Sequence, residues 1–151
     1  LFSAATESGS VVAGADEAVQ RALFDYGDAL GIAFQIVDDI LDYGGTTTTI
    51  GKNVGDDFRE RKLTLPVIKA IAAADADERA FWARTIGQGK QDEGDLDRAL
   101  SILKARGALD AARDDAIAWA ERAKLALAAA PAHPLREELI DLADYVVSRI
   151  S

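Results

Sequence analysis

The sequence predicts an all-α protein, an antiparallel helix bundle. Three observations carry this. Apolar residues recur at spacings of three and four along most of the chain. No stretch keeps a period-two alternation and no Asn-Gly hairpin signal occurs. Gly and Pro positions cut the periodic runs into segments joined by mostly short connections. With 151 residues, 49% of them hydrophobic, the chain can bury a core and is not a disordered tract.

Leu1 to Val12 reads as a helix, Gly14-Ala15 as a break, and Asp16 as the cap of the next helix. That helix is expected from Asp16 to Tyr43, because Val19, Leu23, Tyr26, Leu30, Ala33, Phe34, Val37 and Leu41 fall on helical spacings. Gly27 and Gly31, four residues apart within it, suit close helix packing, and Gly44-Gly45 stops it. Thr46 to Arg61 reads as a long loop with a short helical turn near Asp56; loops of such length are often functional. Thr64 is the expected cap of a helix that tolerates Pro66 in its first turn and ends near Ala74. Further helices are expected over Glu78–Ile86, Leu96–Arg106, Leu109 to about Ala130, and Leu135–Ile150, separated by Gly87–Gly94, Gly107 and the Pro131–Pro134 break. Trp82 and Trp119 read as packing anchors, and His133 as surface structure. No repeat or interdomain linker is visible, so 1–151 reads as a single helical unit.

Composition removes several classes of function. A net charge of -9 does not suit a nucleic-acid partner or an anionic membrane surface. No apolar run reaches the roughly 18 residues of a membrane span. The absence of cysteine excludes disulfides, thiolate metal sites and a Cys nucleophile, and fits a cytoplasmic protein. The first residues carry no basic signal-peptide region. The lack of any methionine leads to the expectation of a piece of a longer polypeptide.

The chemistry is concentrated in Gly31–Asp42. Asp38, Asp39 and Asp42 lie among Ile36, Val37, Ile40 and Leu41 on a predicted helix. Charges held near apolar surroundings are costly unless compensated, and a hard divalent cation such as Mg2+ compensates clustered carboxylates. Helical spacing puts Gln35, Asp38 and Asp42, with Asp39, toward one side, so Asp38 and Asp42 can share an ion. Lys52, Asp56-Asp57 and Lys62 follow within a short stretch. Basic groups close behind a carboxylate cluster suit a metal-bridged diphosphate.

Read together, Gly-x-x-Phe-Gln-x-x-Asp-Asp-x-x-x-Asp-Tyr, Gly-Lys-x-x-x-Asp-Asp and Lys-x-Thr-Leu-Pro resemble the trans-isoprenyl diphosphate synthases, the polyprenyl synthetase family. Ala80-Phe-Trp-Ala-Arg84 and Arg106-Gly-Ala-Leu109 resemble its bacterial long-chain branch, which makes octaprenyl or decaprenyl diphosphate. The resemblance implies the C-terminal part of an isoprenoid synthase fold. It implies Mg2+ as cofactor, isopentenyl diphosphate and an allylic diphosphate as substrates, and a homodimer of the whole enzyme. Asp38 and Asp42 would be metal ligands with Asp39 supporting them. Asp56 would order metal-bound water. Lys52 would contact the allylic diphosphate and Lys62 would stabilise charge nearby. Gln35 would lie by isopentenyl diphosphate, and Phe34 would line the cavity or pack in the core. The family's first aspartate-rich motif is not in this sequence. The expectation is a C-terminal half, inactive alone and needing the N-terminal half that carries that motif. Two alternatives stay open: a non-catalytic regulatory subunit, and a terpene cyclase of the same fold.

Overall fold

The computed structural model describes residues 1–44 and 54–150. Among them every regular element is a helix: α1 (Phe2–Val12), α2 (Glu17–Gly44), α3 (Asp56–Arg59), α4 (Leu65–Ala72), α5 (Ala76–Trp82), α6 (Asp95–Ala105), α7 (Ala108–Ala126) and α8 (Pro134–Ser148). A π-helical turn, Ala83–Gly87, extends α5, and a 3-10 turn, Leu127–Ala129, closes α7. No helix among the described residues is long and apolar enough to cross a membrane. The residues group into two compact units, one of Leu1–Val37 with Asp114–Ser151, the other of Asp38–Arg113.

In the first unit, α1 lies close against α2. Asp16 caps α2 as expected, its carboxylate accepting the Val19 N–H at 2.9 Å. A Cβ on Gly27 would meet Thr6 Oγ1 and sit 2.7 Å from the Phe2 carbonyl oxygen, and one on Gly31 would sit 3.2 Å from Phe2 Cβ. Both glycines therefore mark close packing. The contact is secured by the Thr6 hydroxyl, which donates to the Leu23 carbonyl at 2.6 Å. Tyr26, fully buried, donates to the Leu139 carbonyl at 2.8 Å and ties α2 to α8; burial pushes its hydroxyl up to about 12. Alanines 116, 120 and 123 form the buried stripe of α7.

One first-unit position differs from expectation and another gains a role. Trp119 is half-buried under the Arg122 guanidinium, 4.1 Å from its ring centre, rather than anchoring the core. The buried positions of this helix in the unit are taken by Ala116, Ala120 and Ala123 instead. His133 does lie at the surface, but its Nδ1 caps α8 by accepting the Leu135 N–H at 3.1 Å, and Pro134 takes the first helical position.

The second unit is built on Phe58, Phe81 and Trp82, with Val67, Ala99 and Leu103. Phe81 and Trp82 pack edge-to-face at 5.1 Å. Helix α5 starts earlier than the periodicity suggests because Asp75 and Glu78 form a reciprocal capping box. Thr64 occupies the N-cap of α4 without a side-chain cap bond. Its hydroxyl faces Tyr43 Oη at 3.5 Å instead.

Candidate functional site

The C-terminal turns of α2 carry Asp38, Asp39 and Asp42 in the second unit, beside buried Val37 and Ile40. Asp39 is the most buried of the three, at 9% exposure; Asp38 and Asp42 are partly exposed. This split follows from the helix, where residues 38 and 42 are neighbours one turn apart and residue 39 is rotated toward the core. No side chain among the described residues pairs with Asp38 by hydrogen bond or ion bridge.

Helix α3 brings two further acids to Asp42. The Gly55 N–H donates to the Asp42 carbonyl at 2.9 Å, and the Asp57 N–H donates to Asp42 Oδ2 at 3.1 Å. Gly55 has φ of 82°, a left-handed conformation, and a Cβ there would collide with Leu96. Burial raises the Asp42 carboxyl above its ordinary range. The Asp57 and Asp56 N–H groups oppose the rise, and the neighbouring carboxylates of Asp57 and Asp56 add to it. Hard oxygen donors under mutual repulsion are what a divalent cation relieves, so the donor set fits Mg2+. Among the described residues no three acidic or histidine side chains converge tightly enough to enclose an ion by themselves.

The other site residues are placed as follows. Lys62 is exposed and bridges Asp57 Oδ1 and Glu60 Oε2, each at 2.8 Å, with its ammonium held above the usual lysine range first by the Asp57 bond. Asp56 pairs with Arg59 at 2.8 Å. Lys52 lies outside the described residues. Phe34 and Gln35 belong to the first unit. Phe34 is 36% exposed, so it is not a core residue; Phe2 packs beside it at 5.5 Å and the Arg149 guanidinium lies 5.6 Å from its ring centre. Gln35 is exposed.

Sequence reasoning gave Asp57 no role of its own, although its backbone N–H is the donor to Asp42. Its adjacency to Asp56, after a glycine able to take positive φ, was the available signal. Arg59 and Glu60, which pair with Asp56 and Lys62, carried no motif.

Residues 1–103 match the Polyprenyl synthetase family model. The chain belongs to the polyprenyl synthetase family. Octaprenyl diphosphate synthase of Haemophilus influenzae is 41% identical over 149 residues, 99% of this chain and 45% of that protein. The crystal structure of a decaprenyl diphosphate synthase from Rhodobacter capsulatus is 62% identical with a TM-score of 0.92, covering 99% of this chain and 46% of that one. A polyprenyl synthase from Caulobacter crescentus, crystallised with calcium and isoprenyl diphosphate, is 53% identical with a TM-score of 0.89, covering 99% and 46%. The chain thus has the all-α fold of the polyprenyl synthetase family and spans about half the length of the curated relatives it matches.

Proposed function

We propose that this chain forms the diphosphate-binding wall of a polyprenyl diphosphate synthase. The reaction is head-to-tail condensation of isopentenyl diphosphate with an allylic diphosphate, giving a long all-trans polyprenyl diphosphate for a quinone side chain. The observation that carries this reading is the seating of the Asp56-Asp57 turn on the partly buried Asp42, one helical turn from Asp38. The likeness to octaprenyl and decaprenyl diphosphate synthases supports it.

Asp38 and Asp42 would hold Mg2+, with Asp39 supporting them from the buried side and Asp56 ordering water. When bound, Mg2+ neutralises charge on the diphosphate leaving group. The chain's own residues fix the site. The Asp57 N–H keeps the Asp42 carboxylate in place. Lys62 sits at the rim of the α3 turn, where its charge can reach a diphosphate by exchanging one of its two carboxylate partners. Lys52 would take the allylic diphosphate and Gln35 the isopentenyl diphosphate, while exposed Phe34 offers an apolar face to the prenyl chain. Departure of the diphosphate builds negative charge in the transition state, so cationic groups placed there lower the barrier. The opposing aspartate-rich motif comes from the N-terminal half of the synthase, and the enzyme works in the cytoplasm as a homodimer. Mg2+-dependent binding of pyrophosphate, measured by calorimetry, tests the reading. It is expected to weaken at least about tenfold in Asp38→Ala; equal binding by both proteins would remove Asp38 from the site.

A further inference from the structure

We infer that Gln91 is a positioning residue for the acid cluster, holding the Asp56-Asp57 turn onto Asp42 from behind. The inference rests on the functional reading of that cluster given above. Among the described residues Gln91 makes its hydrogen bonds to backbone and not to the acids. Its Nε2 donates to the Phe58 carbonyl at 2.7 Å and to the Thr85 carbonyl at 3.3 Å. Phe58 directly follows Asp57, so this bond fixes the same turn whose N–H is aimed at Asp42 Oδ2. The Phe58 ring is buried against Phe81 and Trp82, which anchors the turn on its side-chain face, while Gln91 anchors its backbone.

Gln91 is itself held on both flanks. The Lys90 N–H donates to the Arg84 carbonyl at 3.0 Å, and Arg84 Nη1 returns a bond to the Lys90 carbonyl at 2.8 Å. Arg84 forks onto Asp95 at 2.7 and 2.9 Å, and Asp95 Oδ2 accepts the Asp92 N–H at 2.7 Å. Arg84 and Thr85 both lie in the π-helical turn, a feature often retained at functional sites. The two groups facing Gln91 are carbonyl oxygens, which accept and never donate. A primary amide supplies two protons there, and a carboxylate of the same shape supplies none. That specificity separates a positioning role from simple space filling.

Gln91→Glu in the complete protein is the test, with Arg106→Gln as control. Arg106 bridges Asp75 and Glu78 at 2.9 Å each within the same unit and has no bond to α3. Two quantities are read: hydrogen exchange of residues 55–60, and pyrophosphate affinity with and without Mg2+. Gln91→Glu is expected to speed exchange in that segment and weaken Mg2+-dependent binding about tenfold. Arg106→Gln is expected to change neither, whatever it does to Tm. Should the glutamate variant unfold, Gln91→Asn, which keeps the amide on a shorter arm, is expected to give the same pattern at smaller size. Unchanged binding in the folded Gln91 variant, or an equal loss in Arg106→Gln, overturns the inference alone. Pyrophosphate binding indifferent to Mg2+ in the unsubstituted protein overturns the functional reading and the inference with it.

Discussion

At Asp42, burial and two neighbouring carboxylates act in the same direction, and the backbone N–H groups of Asp57 and Asp56 act against them. The folded state therefore favours the protonated carboxyl more than the unfolded chain does. Stability from this group is fully present below the unfolded value of 3.8 and is lost as pH rises through the raised folded value. At neutral pH the metal-free protein carries a charge it would be more stable without. Asp42→Asn, which can still accept the Asp57 N–H through its amide oxygen, is expected to raise Tm of the metal-free protein at pH 7. The expected rise is about 2 °C, kept small by solvent screening of a partly exposed group. The difference should shrink as pH is lowered toward 4, and the same variant should bind Mg2+-pyrophosphate more weakly. Calorimetric scans at several pH values, with and without Mg2+, check the opposed effects.

Helix α2 is the element on which the fold's legibility is clearest. Its expected span, Asp16 to Tyr43, matches the observed Glu17–Gly44, because a long apolar stripe, a capping aspartate and a terminal glycine pair all agree. The glycines at 27 and 31 were also readable, since paired small residues on such a stripe favour close packing over a hinge. Gly27→Ala would drive a methyl into Thr6 and the Phe2 carbonyl oxygen. Helix propensity alone favours alanine, so the two effects compete. The clash involves backbone, which yields little. A net destabilisation of about 1–3 kcal/mol is expected, visible as a lowered urea midpoint with loss of α1 protection in hydrogen exchange. Other elements were less readable. The start of α5 was placed late although Asp75 and Glu78 spell a capping box. The π-helical turn leaves no periodic signature, and its fixing bonds reach residues six to eleven positions onward. Phe34 fits the helical stripe by spacing yet stays exposed, because spacing identifies a helical face and not what lies against it.

For the molecule as a whole, the acids of the site were visible in sequence while their arrangement was not. Asp38, Asp39 and Asp42 announced themselves as charges in an apolar run. That Asp57 would hold Asp42 through its backbone, that Lys62 would bridge Asp57 and Glu60, and that Gln91 would reach Phe58 across 33 positions depends on tertiary packing. The proposed metal-diphosphate wall draws on membership of the polyprenyl synthetase family, whose octaprenyl and decaprenyl diphosphate synthases this chain matches over about half their length. The central claim is that the Asp38–Asp42 edge lowers the barrier to prenyl transfer. Its most direct test is incorporation of radiolabelled isopentenyl diphosphate by the complete protein, with Asp38→Ala beside it at saturating Mg2+. Loss of kcat by about a hundredfold or more with unchanged helix content is the predicted result. Turnover within a factor of about two of the unsubstituted protein would contradict the account.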